Sequence, residues 1–323
     1  MDKAKLTDTV ERILQVSGFK TARIELRGGC FDLVASRLFL MLFVKVSPNI
    51  DVVTEEQAED LKRLSSFFKA SPLIVGVRTK TGELEEGVVY ERFGIHALRP
   101  ETLYEVLAEG ELPAVFAERG GLYVRINGKL LKELREKSGY SVGELAKLVG
   151  VSRKSVLNYE RGETAVSLDV ALRLEDVFNE PLAEPIDILT AKVRATLRSE
   201  PETPLEREVI ERLRNLGMGV VKVKRAPFNA LSREEEKTIL AGIDRKKTKS
   251  TVRKAEMVSE IGRIISSDGI FILERTKTEV VDDIPLIPKD KLKEVRDADE
   301  LIELIETLKR EIKNRIKIRP EEH

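Results

Sequence analysis

The stretch Leu130–Phe178, LLKELREKSGYSVGELAKLVGVSRKSVLNYERGETAVSLDVALRLEDVF, decides how the rest of the chain is read. Leu130, Leu131, Leu134 and Arg135 set a helical period that stops at Gly139. Ser141 stands three residues before Glu144, the spacing at which a hydroxyl and a carboxyl cap each other's backbone amides at a helix start. Leu145, Ala146, Leu148 and Val149 give that helix an apolar face, and Gly150 ends it. Ser152 caps the next helix, in which Val156 and Tyr159 are expected to face inward and Arg153, Lys154, Ser155 and Asn158 outward. Gly162 closes it, and Ser167 opens a fourth helix carrying Val170, Leu172, Leu174 and Val177.

Two short helices joined by Gly150-Val151-Ser152, with the small Ala146 where they cross, make a helix-turn-helix. The second helix of such a pair can enter a DNA major groove with its N-terminal residues at base edges. Arg153 and Lys154 suit the O6 and N7 acceptors of guanine, and Asn158 suits the N6 and N7 of adenine. Ser152, Ser155 and the amides at the helix start suit phosphate oxygens, and Arg161 is a further phosphate candidate. Ser152, Arg153, Lys154, Ser155, Asn158 and Arg161 are therefore the candidate DNA-binding residues. The same run resembles the Cro/repressor-type helix-turn-helix through Glu144-Leu145-Ala146, Gly150, the start at Ser152, and Glu160 and Gly162 around Arg161. That resemblance implies a five-helix, all-α lambda-repressor-like DNA-binding domain. One position departs from it: the residue after the cap, often a phosphate-touching Gln in that family, is Val142.

A chain of 323 residues exceeds one ordinary domain. Charged residues make up 35% of it, yet the formal net charge is zero, so DNA affinity must come from local patches and not from a bulk field. Residues 128–180 hold nine Lys/Arg and nine Asp/Glu, which leaves Arg153, Lys154 and Arg161 against Glu160 as a local positive patch. The single cysteine, Cys30, excludes an internal disulfide framework and fits a reducing cytoplasm. No signal-peptide pattern is present, and the longest apolar run, Leu38–Val44, is too short to span a bilayer. The only histidines are His96 and His323, and metal-ligand spacings and phosphate-cradling glycine motifs are absent, so neither metal nor cofactor is expected. Abundant Glu and Lys, two Gln and no Trp resemble a thermophile's composition.

Residues 1–118 read as a small α/β domain. Val10, Ile13, Leu14 and Val16 mark a first helix; Phe31–Ala35 and Leu38–Val46 read as strands, the second buried on both faces. Thr54 and Gln57 cap a helix through Phe68, and Leu73–Val77, Val88–Tyr90 and Ile95–Leu98 are further strands. Asp32 and Lys45 on neighbouring strands resemble the PD-(D/E)xK nuclease fold. That site needs a second carboxylate two residues before the lysine to hold a metal ion, and the position is Phe43. The expectation is a noncatalytic domain, with a nuclease or DNA-repair enzyme as the alternative.

Residues 204–308 repeat the first domain. Val10-Glu-Arg-Ile recurs at Ile210, Phe31-Asp-Leu-Val-Ala at Phe228, Leu73-Ile-Val at Ile270 and Leu103-Tyr-Glu-Val at Leu292, with offsets of 200, 197, 197 and 189. Arg78-Thr-Lys-Thr is identical to Arg275-Thr-Lys-Thr. Asp32 becomes Asn229, and the Lys45 region becomes Ala241-Gly-Ile-Asp. Residues 245–254 carry six basic side chains, either to track a DNA backbone or as a solvated loop. Arg119-Gly-Gly121 and Ser199–Pro204 read as linkers, and 309–323 as a charged tail.

The expected fold is multidomain: a central helix-turn-helix domain (128–190) between two related α/β domains, with degenerate restriction-endonuclease-like topology as one reading of the pair. The chain resembles an archaeal family of HTH-type transcriptional regulators in which such a module lies between two α/β segments. The resemblance implies a cytoplasmic, sequence-specific DNA-binding regulator, not an enzyme, and repressor-like modules usually act as a homodimer on double-stranded DNA. A protein that uses the module to bridge to the transcription machinery is the other alternative.

Overall fold

The computed structural model describes residues 2–190, 193, 195, 199–235 and 237–317. In chain order it has α1 (Lys3–Val16), β1 (Lys20–Arg23), β2 (Leu33–Arg37), β3 (Leu40–Val46), α2 (Glu55–Phe68), β4 (Ser71–Val75), β5 (Val88–Arg92), β6 (Ile95–Leu98) and α3 (Pro100–Tyr104). A hairpin, β7 (Val115–Glu118) and β8 (Gly121–Val124), leads to α4 (Gly128–Lys137), α5 (Val142–Val149), α6 (Arg153–Glu160), β9 (Val166–Ser167) and α7 (Leu168–Phe178). Then come α8 (Pro204–Asn215), β10 (Gly219–Lys222), β11 (Ala230–Glu234), β12 (Lys237–Asp244), α9 (Lys249–Ile265), β13 (Asp268–Leu273), β14 (Glu279–Val281), β15 (Ile284–Pro288), α10 (Lys289–Glu294) and α11 (Ala298–Lys317). The last helix thus runs well into the expected charged tail; residues 318–323, His323 among them, lie outside the described residues.

The chain divides into two compact units. One comprises Met1–Ser17, Ser47–Val52 and Leu73–Ala191; the other Gly18–Val46, Val53–Pro72 and Lys192–His323. Residues 1–118 are shared between them.

The repeat is present in register. Leu33 faces Val44 across β2 and β3, and Ala230 faces Ala241 across β11 and β12, both antiparallel and both displaced by 197. Ile74 faces Ala97 in the parallel pair β4–β6, and Phe271 faces Leu286 in β13–β15. Tyr90 faces Ala97 in β5–β6, and Glu279 faces Leu286 in β14–β15. The second copy closes as a six-stranded mixed sheet in the order β10-β11-β12-β13-β15-β14. Its Leu213, Ile239, Ala241, Ile270, Ile272, Leu301 and Ile305 form one buried core.

Within the second unit, elements from the two copies pack reciprocally. Helix α9 of the second copy lies against β1 and β2 of the first as well as against β12 and β13. The loop after β10 reaches α2, where Arg225 Nη2 lies 2.5 Å from the Glu56 carboxylate. The loop after β1 reaches α9, where Arg253 Nη2 lies 2.8 Å from Glu25. Glu56 and Arg253 are equivalent positions 197 apart, so the same contact is made twice with its charges exchanged. Both pairs are solvent-accessible and contribute little; the buried Asp60 of α2 does more, accepting from the backbone amides of Lys224 and Arg225, each at 2.8 Å.

Candidate nucleic-acid interface

Two helix starts read from the sequence, Ser141 and Ser152, are built as the capping chemistry requires, whereas Ser167 stands at the N-cap of α7 without a side-chain cap bond. Asn127 accepts from the Leu130 amide at 3.0 Å to open α4. Ser141 and Glu144 cap each other, Glu144 N to Ser141 Oγ at 3.2 Å and Ser141 N to Glu144 Oε2 at 2.7 Å. Those bonds from Ser141 hold the Glu144 carboxyl below the usual carboxylate range. Ser152 Oγ accepts from the Ser155 amide at 3.0 Å to open α6. The helices share a core of Leu131, Leu145, Ala146, Val149, Val156, Val170 and Leu174. A buried ion pair joins α4 to α6: Arg135 Nε and Nη2 donate to the Glu160 carboxylate at 2.5 and 3.2 Å, while Nη1 donates to the Tyr140 carbonyl at 3.1 Å.

All six candidate residues lie on α6 or at its ends. Ser152, Arg153, Lys154 and Arg161 are exposed, and Ser155 and Asn158 are half-buried. The Arg153 guanidinium lies across α5: a Cβ at Gly143 would meet its Nε at 2.8 Å and its Nη2 at 2.9 Å. It therefore covers the first turn of α5 beside Val142, where the repressor-type resemblance implies a phosphate-touching side chain. Two expectations about the core fail. Leu148 is 53% exposed and Leu172 52% exposed. The buried residues of α5 are Leu145, Ala146 and Val149, and those of α7 are Val170, Ala171 and Leu174. At about 100° per residue, Leu148 falls on the flank of its helix and Leu172 on the far side of its own.

The expected five-helix bundle has four helices among the described residues. Pro181 and Pro185 stand where a fifth would run, and each removes a backbone donor. The chain there is an extended strap instead. Ala183 bridges Ile126, the Asn127 amide donates to Leu182 O at 2.9 Å, and Glu184 N donates to Arg125 O at 2.8 Å. Glu175 of α7 accepts from the Leu182 and Ala183 amides at 2.7 and 3.0 Å. Nor are residues 119–121 a linker: they turn the β7–β8 hairpin. Strand β7 runs parallel to β5, and β8 pairs antiparallel with β9 directly after α6, so the hairpin joins the helical domain to an α/β sheet.

The nuclease-like positions form a closed cluster. Asp32 and Lys45 are buried, with Lys45 Nζ 3.2 Å from Asp32 Oδ2 and donating to Gly29 O at 2.6 Å. Asp32 Oδ2 also accepts from the Val46 amide at 2.8 Å. Phe43, in place of the second carboxylate, is buried against Phe31 at 5.2 Å between ring centroids. In the second copy Asn229 Oδ1 accepts from the Ile243 amide at 2.8 Å, the same bond at the equivalent position. Gly242 replaces Lys45, and a Cβ there would meet the Phe271 ring at 2.3 to 2.5 Å, so the ring fills the space of a lysine stem. Among the described residues no group of three or more His, Cys, Asp or Glu side chains is placed to hold a metal ion.

Of the six cations in 245–254, three face carboxylates: Lys247 with Glu279 at 2.6 Å, Arg253 with Glu25 at 2.8 Å and Lys254 with Asp244 at 3.4 Å. Arg245, Lys246 and Lys249 are exposed. Among the described residues no helix is long and apolar enough to cross a membrane.

Comparison with known proteins agrees with this geometry. Residues 3–113 match the model of the PD-(D/E)XK superfamily domain, and residues 131–184 match that of a helix-turn-helix. A protein of Thermococcus gammatolerans named "Putative HTH-type transcriptional regulatory protein" is 72% identical over 317 residues, covering 98% of this chain and 100% of its own. Relatives of the same description are 59% identical in Pyrococcus furiosus, over 96% of this chain and 99% of theirs, and 37% identical in Methanocaldococcus jannaschii, over 88% and 91%. With its nuclease-like fold, central helix-turn-helix and full-length likeness to these proteins, the chain belongs to this archaeal family of HTH-type transcriptional regulatory proteins.

Proposed function

We propose that the protein is a sequence-specific regulator that reads double-stranded DNA with α6. The observation that carries this is the exposure of Ser152, Arg153, Lys154 and Arg161 on a helix anchored from beneath by Val156 and by the Arg135–Glu160 pair. Lys154 and Asn158 are the base readers. Arg153, which lies over Gly143, is the third base reader. A second copy is expected to bind alongside: Leu148 and Leu172 offer apolar area on α5 and α7, helices tied by Arg173 Nε donating to Val149 O at 3.0 Å. Selection from a random duplex pool with the full-length protein is expected to return one sequence as two half-sites about 10 base pairs apart. On that duplex Arg153→Ala and Asn158→Ala should each lose about 1–3 kcal/mol of discrimination against mismatched sites. Equal binding of all sequences by wild type and variants would defeat base reading.

In this reading the nuclease-like fold is a scaffold, not an enzyme. Asp32 and Asn229 make the same bond to the next strand in two copies, one of which has no lysine, so that bond is a strand clamp. Plasmid, nicked and branched DNA incubated with Mg²⁺ or Mn²⁺ are expected to stay intact. Cleavage that disappears in Asp32→Ala would reverse the assignment.

A further inference from the structure

We infer that the β7–β8 hairpin and the segment leading into α4 form a second DNA-contacting surface, one that grips the phosphate backbone beside the end of α6. This inference rests on the DNA-binding reading above and extends it to residues outside the helix-turn-helix. Strand β8 is bonded to β9, Tyr123 opposite Ser167 and Val124 opposite Val166, and Val124, Ile126 and Val166 belong to the helical domain's own core. The hairpin therefore cannot move independently of α6.

Between the hairpin and residues 161–165 lies a groove of about 830 Å³, lined by Tyr123, Arg125, Asn127, Lys129, Arg161 and Thr164. Arg125 and Lys129 are exposed, as is Arg119 at the hairpin turn. That turn takes Gly120 and Gly121 to φ of +102° and +145°, so only a short, narrow loop stands at the tip. Phe116 and Tyr123 pack with ring centroids 6.2 Å apart, and the Arg125 guanidinium lies 5.5 Å from the Phe116 centroid. Aromatic bodies holding guanidinium groups toward solvent are a surface suited to a nucleic-acid backbone.

The position fits the same partner. Helix α6 has eight residues and is roughly 12 Å long at 1.5 Å per residue. A major groove is about 12 Å wide, so with the N-terminus of α6 at the bases its other end reaches the bounding backbone. Residues 161–165 follow that end directly, and the groove opens there. Glu118, Glu163 and Glu184 also line it, and Glu163 lies 3.9 Å from Arg161. The surface therefore has little net charge and adds a few local phosphate contacts and no long-range attraction.

The test uses full-length protein and two 30-base-pair duplexes, one selected from the random pool and one of mixed sequence, titrated over a range of salt. The Arg119→Ala/Arg125→Ala variant alters exposed side chains, and circular dichroism checks its fold. It is expected to weaken binding to both duplexes by the same factor and to lower the slope of log K against log salt by about 0.9 for each phosphate released. The preference for the selected duplex should persist. An unchanged slope and affinity in this variant, while Arg153→Ala binds less well, would remove the hairpin surface and leave the reading of α6 intact. Failure of the wild type to bind either duplex would remove both.

Discussion

Asp60→Ala is expected to cost about 3–5 kcal/mol, the range found when one partner of a buried charged network is removed. Asp60 has no exposed surface. One carboxylate oxygen accepts from the Lys224 and Arg225 amides at 2.8 Å, and the other accepts from Arg63 Nη1 at 2.6 Å. Alanine would leave two amides without their acceptor and take one ion-pair partner from a nearly buried guanidinium. The damage should be concentrated where the repeats meet inside the second unit. Lys224 and Arg225 amide exchange should quicken by at least a hundredfold, about 3 kcal/mol at 1.4 kcal/mol per decade. Asp60→Asn keeps an oxygen for the amides and should cost less. Glu56→Ala, which breaks only the half-exposed pair with Arg225, should cost under about 1 kcal/mol. If Asp60→Ala and Glu56→Ala exchange alike, the buried carboxylate is not what holds this junction.

Nothing local in the sequence announces that role. Asp60 sits in a helix with three Glu, one Lys and one Arg, where a carboxylate is ordinarily solvated, and the amides it accepts from are 164 and 165 residues away. Features that depend on neighbours in sequence were legible. The caps at Ser141 and Ser152, the glycine stops and the Thr54–Gln57 box appear where their spacing places them, because a cap is settled by the backbone within four residues. The repeat was legible because buried strands constrain residue type at every position, so the apolar pattern survived where the chemistry at Asn229 and Gly242 did not.

The hairpin is hidden from its own sequence for a physical reason. Gly-Gly serves equally well in a linker and in a tight turn, and only the pairing of β7 with β5 and of β8 with β9 decides between them. Without that pairing, nothing near Arg119, Arg125 and Lys129 in sequence marks them as one surface. The local signal is the short apolar run Val115-Phe116-Ala117 before Glu118, too short to stand alone. The strap after α7 has a clearer local signal in Pro181 and Pro185, each of which removes a backbone donor that a helix would need. Leu148 and Leu172 show that counting apolar residues in a short helix does not fix which face is covered.

Glu160→Ala should be the most damaging single change in the helical domain, again by about 3–5 kcal/mol, because it strands Arg135 in a buried site. Side-chain exposures of 9% for Arg135 and 6% for Glu160 leave water little access to either charge. The bond to Glu160 raises the Arg135 guanidinium's affinity for its proton, and because a guanidinium is charged at neutral pH even without a partner, Arg135 stays charged when Glu160 is lost. The consequence reaches function. Glu160 is the last residue of α6, and its bond to α4 fixes that end of the helix over the core. The variant should unfold at lower temperature and bind selected and mixed-sequence duplexes poorly alike, unlike Asn158→Ala, which should lose discrimination while keeping its fold. Replacing both partners, Arg135→Met with Glu160→Leu, removes the stranded charge and should recover most of the stability, leaving a large coupling energy in the double-mutant cycle. A double variant no more stable than Glu160→Ala alone would mean that the geometry of the pair, and not charge burial, sets the position of the reading helix.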